Sequence, residues 1–369
     1  MKNLLFLTFL LFSLFNCNSG SLILKNAGNE DACNEEGAYW YNGKCWTGFE
    51  DEGIAKADID QFVKDQMVWI EKAVVSLNGN KFPLQLFMPS EEGKEVVFIT
   101  VFEDKEGAKT ILQTVSRKDL NNTNLSSEAI LIDGNIEELG EDESALLQKM
   151  SMPLGVGKID IQVNKLDELD LEFRGTLNNP ETGKPYQLTY QVNEAIMGAG
   201  TSKLEVKGDE IHINGDLGTR TYAQLKTALR EHPSVKTVVL GNISGSLNDA
   251  VNMHTGRLVR EAGLHTKVLK TSVIASGAVD LFCAGKERFV ERGAKLGIHS
   301  WCCLDDLTAA EIPEDHPAHQ YQVAYFTMCL GKDIGPKFYF HTLTSAPFDG
   351  VHWMSEEEIR EWSVATQIY

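Results

Sequence analysis

The sequence lacks an apolar run long enough to cross a membrane. The longest, Leu4 to Phe15, has twelve residues, and at about 1.5 Å per residue it falls short of roughly 30 Å of hydrocarbon. Basic residues are few beside acidic ones, 34 against 53 for a net charge of −19. Such a surface repels phosphate backbones, which argues against nucleic acid as a partner. No CxxC pair and no HExxH occurs, so neither a zinc ribbon nor a zincin is supported and no metal site is expected. No GxxxxGK[ST] loop is present, which removes the usual cradle for ATP; no cofactor is expected. Internal repeats and low-complexity tracts are also missing, so solenoid and fibrous architectures are set aside.

What remains is an ordinary globular composition, 43% apolar and 24% charged over 369 residues. At roughly 150 residues per domain this asks for two domains. The apolar run after Lys2 reads as a signal-peptide core within residues 1–16. Leu14-Phe15-Asn16-Cys17 resembles the lipobox of bacterial lipoproteins, although Phe15 and Asn16 are bulkier than the small residues usual there. The resemblance implies that Cys17 is lipidated, leaving the chain exported and touching the cell-envelope membrane through an acyl anchor alone. Plain secretion with cleavage nearby is the alternative. In an exported compartment disulfides persist. Cys33 and Cys45 flank a stretch containing Asn42-Gly43, a hairpin-turn pair, and a local disulfide is expected there. The pairing of Cys283, Cys302, Cys303 and Cys329 stays open.

Residues 17–49 are therefore expected to form a tether and a small disulfide hairpin, and residues 50–204 a β-rich domain. Asp58 stands before a helical pattern with Ile59, Phe62, Val63, Ile70 and Val74 on one face. Short, often alternating segments follow at Phe82–Met88, Val96–Phe102, Ile159–Val163, Leu169–Phe173 and Gln187–Val192. From residue 205 to 369 the texture changes to alternating strands and helices, predicted at Glu210–Asn214, Tyr222–Arg230, Val235–Leu240, Asp249–Glu261, Lys267–Ile274 and Gly277–Ala284. That alternation argues for a layered α/β domain.

Chemistry concentrates in this second part. An apolar strand stops at Ser276 and continues as an apolar helix, flanked by small Ala275 and Gly277. Backbone N–H groups at such a helix start favour a developing oxyanion. The surroundings are not GxSxG, so an α/β-hydrolase elbow is unsupported. A helix N-cap is the plain role of such a serine. Yet His299 ends a second apolar strand 23 residues later. The run from Ile274 to Trp301 resembles the Clp-protease/crotonase superfamily. The nearer likeness is to predicted periplasmic or secreted Clp-protease-like proteins. In these, Ala275-Ser276-Gly277-Ala278-Val279-Asp280-Leu281-Phe282, Gly293 to Trp301, the stretch around His316-Pro317-Ala318-His319, and Ala346 to Met354 have counterparts in the same order.

The resemblance covers residues 205–369 and implies repeated β-β-α units. It also implies Ser276 as nucleophile and His299 as general base, acting on a peptide or another acyl bond. Val351 stands nearest in register to the family's third member, and Asp349 lies two residues earlier. Asp349 is the expected orienting group, with His352 as its rival; Asp349 before Gly350 is otherwise a turn residue. The family's Gly-Gly oxyanion turn is replaced by Gly241-Asn242-Ile243-Ser244-Gly245-Ser246. The backbone N–H groups of Gly245, Ser246 and Gly277 are the oxyanion candidates. Relatives form trimers, hexamers or stacked rings, which implies a homo-oligomer.

Two further readings stand beside this one: a non-catalytic envelope binding module on the same fold and, more weakly, acyl-coenzyme A chemistry. His316 and His319 with Asp315 have no third metal ligand at convincing spacing. Tyr325, Phe326, Phe338, Tyr339 and Phe340 suit either a core or a groove. Ser355 and Glu358 form a capping-box pattern.

Overall fold

The structure is a computed structural model. It describes residues 24–25, 39–41, 44–46, 54, and 56–369 except 93, 121, 137–142, 167–168 and 303–306. Cys17, Cys33 and Cys303 lie outside the described residues. No helix among those described is long and apolar enough to cross a membrane. Two compact units are present, one of residues 66–199 and one of residues 200–369 with the segment up to Asp65.

Three short strands, β1 (Leu24–Lys25), β2 (Tyr39–Tyr41) and β3 (Lys44–Trp46), form a sheet in the order β1-β3-β2. Tyr41 pairs with Lys44, the register of a two-residue connection, and Cys45 stands opposite Trp40.

The first unit is an eight-stranded closed barrel. Its strands are β4 (Val74–Leu77), β5 (Asn80–Glu92), β6 (Glu95–Asp104), β7 (Gly107–Ser116), β8 (Asn124–Asp133), β9 (Gly155–Lys165), β10 (Asp170–Asn178) and β11 (Pro185–Val192). Neighbours pair antiparallel, and β11 closes onto β4 through Leu188–Leu77 and Thr189–Ser76. Closure removes sheet edges. Alternation puts Leu171, Phe173 and Leu177 of β10 inside, beside Phe87, Phe98, Phe102 and Leu188. Helix α1 (Ile59–Lys72) precedes the barrel, α2 (Glu143–Ser151) lies between β8 and β9, and α3 (Glu194–Met197) follows β11. The helical pattern through Val74 overshoots: the helix ends at Lys72, and Val74 opens β4, whose β-branched Val74-Val75 suits a strand.

The second unit is mixed α/β. A six-stranded sheet runs β12 (Lys203–Lys207), β13 (Glu210–Asn214), β14 (Thr237–Leu240), β15 (His265–Val268), β17 (Arg288–Val290), β20 (Gln367–Ile368). All its neighbours pair parallel except β12 with β13. A second sheet holds β16 (Val273–Ala275), β18 (Lys295–Ile298) and β19 (His352–Trp353) in that order. The expected strand Lys267–Ile274 is thus two strands in different sheets, broken by a turn in which the Ser272 N–H donates to the Leu269 carbonyl at 2.8 Å. Helices α4 (Thr219–Glu231), α5 (Asp249–Glu261), α6 (Gly277–Cys283), α7 (Gln320–Leu330), α8 (Gly335–Ser345) and α9 (Glu356–Glu361) complete the unit. One core joins Val238, Leu240, Val259, Phe282, Leu296 and Phe338. Cys283 and Cys329 are buried free thiols, whereas Cys302 is disulfide-bonded.

Candidate functional site

Two parallel strands bring Ser276 and His299 to the same end of one sheet. Ala275 of β16 pairs with Gly297 of β18, and the Ser276 N–H donates to the Gly297 carbonyl at 3.0 Å. His299 follows β18 two residues beyond that pairing. Both side chains line one cavity of about 60 Å³, together with Asp249, Asp280, Gln322 and Tyr339.

Ser276 adopts φ 52° and ψ −131°, a left-handed conformation unfavourable for a residue with a Cβ. Its hydroxyl makes no capping hydrogen bond to α6. The plain N-cap role is therefore not the one this side chain performs. Such backbone strain costs on the order of 1–3 kcal/mol and persists where the surroundings hold it. The Ser276 carbonyl receives the N–H groups of Val279 at 2.8 Å and Asp280 at 3.4 Å, which keeps the turn closed. Ser276→Gly is accordingly expected to gain about 1 kcal/mol in urea unfolding, because strain relief exceeds glycine's entropic cost of about 0.5–1 kcal/mol. Ser276→Ala retains the strain. An equal gain from alanine would show that φ is not the source.

The oxyanion candidates gather around this serine. The loop at residues 243–246 runs beside β16, with the Ala275 N–H donating to the Ile243 carbonyl at 3.0 Å. A Cβ on Gly245 would stand 3.2 Å from Ser276 Cβ, and one on Gly277 only 2.5 Å from Ser246 Cβ. These two glycines permit backbone approach that no side chain would. Their N–H groups differ in use. Asp216, 7% exposed, accepts the Ser244 N–H at 3.2 Å and the Ser244 hydroxyl, and it also draws the Gly245 N–H. Burial pushes the Asp216 carboxyl up while those donors oppose it. The Gly245 N–H is thus engaged. Among the described residues the N–H groups of Ser246 and Gly277 donate to no protein acceptor, and they remain free beside Ser276. Asn252, 1% exposed, fixes this corner by donating to the Gly277 carbonyl at 2.8 Å.

His299 is half-buried, and burial lowers its pKa, against opposition from backbone groups of Ser300 and Phe348. The ring is therefore neutral at pH 7, the form a base requires. Neither backbone group completes a hydrogen bond to Nδ1, which is buried without a partner, and among the described residues no hydrogen bond joins the ring to Ser276. Asp349 is exposed on the turn closed by the Gly350 N–H and Pro347 carbonyl at 3.0 Å, and it does not line the cavity. His352 bonds Glu358 at 2.7 Å instead of the His299 ring. Of the residues picked out by sequence, Ser276, His299, Ser246 and Gly277 converge. Asp349 and His352 stand apart.

Sequence reasoning overlooked Asp249 and Asp280. Asp249 opens α5, whose N-cap Asn248 accepts the Val251 N–H at 3.1 Å, and Asp280 lies one turn after Ser276 on α6. Both carboxyls line the cavity among closely packed protein atoms, although Asp249 is solvent-exposed and Asp280 half-buried. Burial pushes Asp249 up to about 6, opposed by the Ser246 hydroxyl. It pushes Asp280 well above the carboxylate range, helped by the charge of Asp249. The i to i+4 spacing of Ser276 and Asp280 was the available signal. His319 is a core residue, its Nδ1 2.8 Å from Tyr339 Oη. Phe326 and Tyr339 serve both core and cavity wall.

No family model matches the chain, and no curated protein matches it either. Solved structures it is similar to include a ClpP1 variant, a stomatin-specific protease and enoyl-CoA hydratases. A variant of ClpP1 from Listeria monocytogenes is 16% identical with TM-score 0.33, over 44% of this chain and 91% of that one. A variant of the membrane-bound stomatin-specific protease 1510-N is 14% identical with TM-score 0.32, over 43% and 77%. An enoyl-CoA hydratase from Bacillus halodurans is 14% identical with TM-score 0.31, over 46% and 72%.

Proposed function

We propose that the second unit is a serine hydrolase of Clp-protease-like repeated β-β-α design, cleaving a peptide or another acyl bond. The observation that carries this reading is the strained, non-capping Ser276 hydroxyl in one cavity with a ring that burial keeps neutral. In this scheme Ser276 Oγ attacks the carbonyl carbon as His299 removes its proton, and the free N–H groups of Ser246 and Gly277 receive the oxyanion. The imidazolium then protonates the leaving group. Water, deprotonated by the same ring, releases the acyl group. The apolar run Leu4 to Phe15 and the Cys17 after it support an exported, lipid-anchored setting for this chemistry.

A second reading, a binding module on the same fold, is favoured by one observation: His299 Nδ1 lacks an orienting partner. Fluorophosphonate labelling with intact-mass readout separates the two. The hydrolase should take one adduct, absent from Ser276→Ala. A folded wild-type chain that stays unlabelled favours the binding module.

A further inference from the structure

Two connections that the sequence keeps apart run side by side next to Ser276. Residues 215–218 follow β13, residues 241–248 follow β14, and Leu217 bridges Ser246 in parallel. The Leu217 N–H donates to the Gly245 carbonyl at 2.9 Å, and the Leu247 N–H to the Leu217 carbonyl at 2.8 Å. Asp216 stands in the first connection with its backbone fixed on both sides. Its N–H donates to Thr201 Oγ1 at 2.9 Å, and its carbonyl accepts the N–H groups of Thr201 and Ser202, each at 3.0 Å. The buried carboxylate takes the N–H and hydroxyl of Ser244 and the N–H of Gly245. A carboxylate is acceptor-only with room for about four donors, whereas an amide in its place would turn an NH₂ toward one of them.

Along Ile243–Leu247 every backbone N–H but one then has an acceptor among the described residues. Ile243 donates to the Val273 carbonyl at 3.0 Å, Ser244 and Gly245 to Asp216, and Leu247 to Leu217. The exception is Ser246. A Cβ on Gly277 would stand 3.2 Å from the Ser246 nitrogen, so the free N–H lies against the residue that follows the serine. The Ser246 hydroxyl is held as well, by Asp249 and by the Asn248 N–H at 3.2 Å. Oxyanion donors act within about 2.7–3.1 Å of the oxygen they receive, and a misplacement of about 1 Å can cost about 10²-fold in rate. The hold on Ser244 and Gly245 therefore bears on the donor that comes next.

Resting on the hydrolase reading and extending it to how the oxyanion site is held, we propose that Asp216 is a positioning residue. Its carboxylate pins Ser244 and Gly245, and the pinned loop presents the Ser246 N–H to the oxygen that becomes negative as Ser276 attacks. Asp216 acts through the loop and not on the substrate. By engaging Gly245 it also leaves the loop one free donor, so a single N–H, with that of Gly277, faces the nucleophile.

Two measurements on the full chain test this. In fluorophosphonate labelling Ser276 Oγ bonds phosphorus, fluoride leaves and His299 takes the proton, while the phosphoryl oxygen occupies the oxyanion site. Asp216→Ala is expected to lower the limiting labelling rate about 10²-fold, with the half-saturating probe concentration within about threefold of wild type. Asp216→Asn keeps one acceptor oxygen and should lose less, about tenfold. Hydrogen exchange reads the clamp without chemistry: the Ser244 and Gly245 amides should exchange about tenfold or more faster in Asp216→Ala, while those of Val239 and Val268 stay within about threefold. Should Asp216→Ala fail to fold, Asp216→Asn decides by the same two readouts. A labelled wild type whose limiting rate is undiminished in the folded variant, or in which only the half-saturating concentration rises, sinks the positioning role and spares the hydrolase. Unchanged exchange at Ser244 and Gly245 overturns the clamp whatever the labelling. An unlabelled wild type with accelerated exchange in the variant sinks the hydrolase and spares the clamp.

Discussion

His299→Ala is expected to slow fluorophosphonate labelling of Ser276 by about 10²–10⁴-fold, the range that positioned proton transfer contributes. A serine hydroxyl attacks poorly until its proton is taken, and the ring of His299 lines the same cavity as that hydroxyl. Burial disfavours the imidazolium, so the folded-state pKa lies below the ordinary value of 6.5. In wild type the labelling rate should rise with pH through a midpoint under 6.5 and hold a plateau above it; in His299→Ala that inflection should vanish. The same depression bears on stability. The unfolded chain takes up the proton near pH 6.5 while the folded chain resists, so the contribution is present above that pH and lost as pH falls through the lowered folded value. Asp349→Asn serves as the companion, expected within about threefold of wild type because Asp349 is exposed and off the cavity. An unchanged rate in His299→Ala, or an inflection above pH 7, would remove the histidine from the reaction.

The geometry behind that expectation was legible in part. The junction at Ser276 showed itself because an apolar strand with small neighbours ran directly into an apolar helix, and β18 ends one residue before His299. Local pattern sufficed for both, as it did for α5, β13 and the Ser355 capping box. The carboxyls were hidden for the opposite reason. Asp249 reads as an ordinary acid in the first turn of a helix, and nothing local reveals that α5 aims it at a serine 27 residues onward. Asp349 was ambiguous from sequence, because an aspartate before glycine near a family motif fits two roles, and the structure shows it exposed on a turn. In the first unit alternation marked five of the eight barrel strands. Closure rests on two residue pairs between β11 and β4, a long-range register that periodicity does not carry.

The barrel itself offers the largest stability effect. Phe173 of β10 is 1% exposed and stacks on Tyr190 at 4.4 Å between ring centroids, with Phe87 and Phe98 edge-on at 5.9 and 5.8 Å. Four rings from four strands, β5, β6, β10 and β11, thus meet at one point, so this contact joins segments far apart in sequence. Phe173→Ala is expected to cost about 3–5 kcal/mol, the loss of buried ring area compounded by a cavity that closed strands cannot collapse to fill. Tyr190 adds to the penalty. Its hydroxyl is fully enclosed and receives the Thr100 hydroxyl at 3.3 Å, so the ring cannot swing into the void without abandoning a buried polar contact. Hydrogen exchange localises the effect: amides of Ile161 and Tyr190, which flank Phe173 in register, should exchange about 10²–10⁴ times faster if they open with the barrel. Phe173→Leu preserves most of the volume and should cost less than half as much. Equal losses for leucine and alanine would show that ring stacking, and not filled space, is what the barrel centre requires.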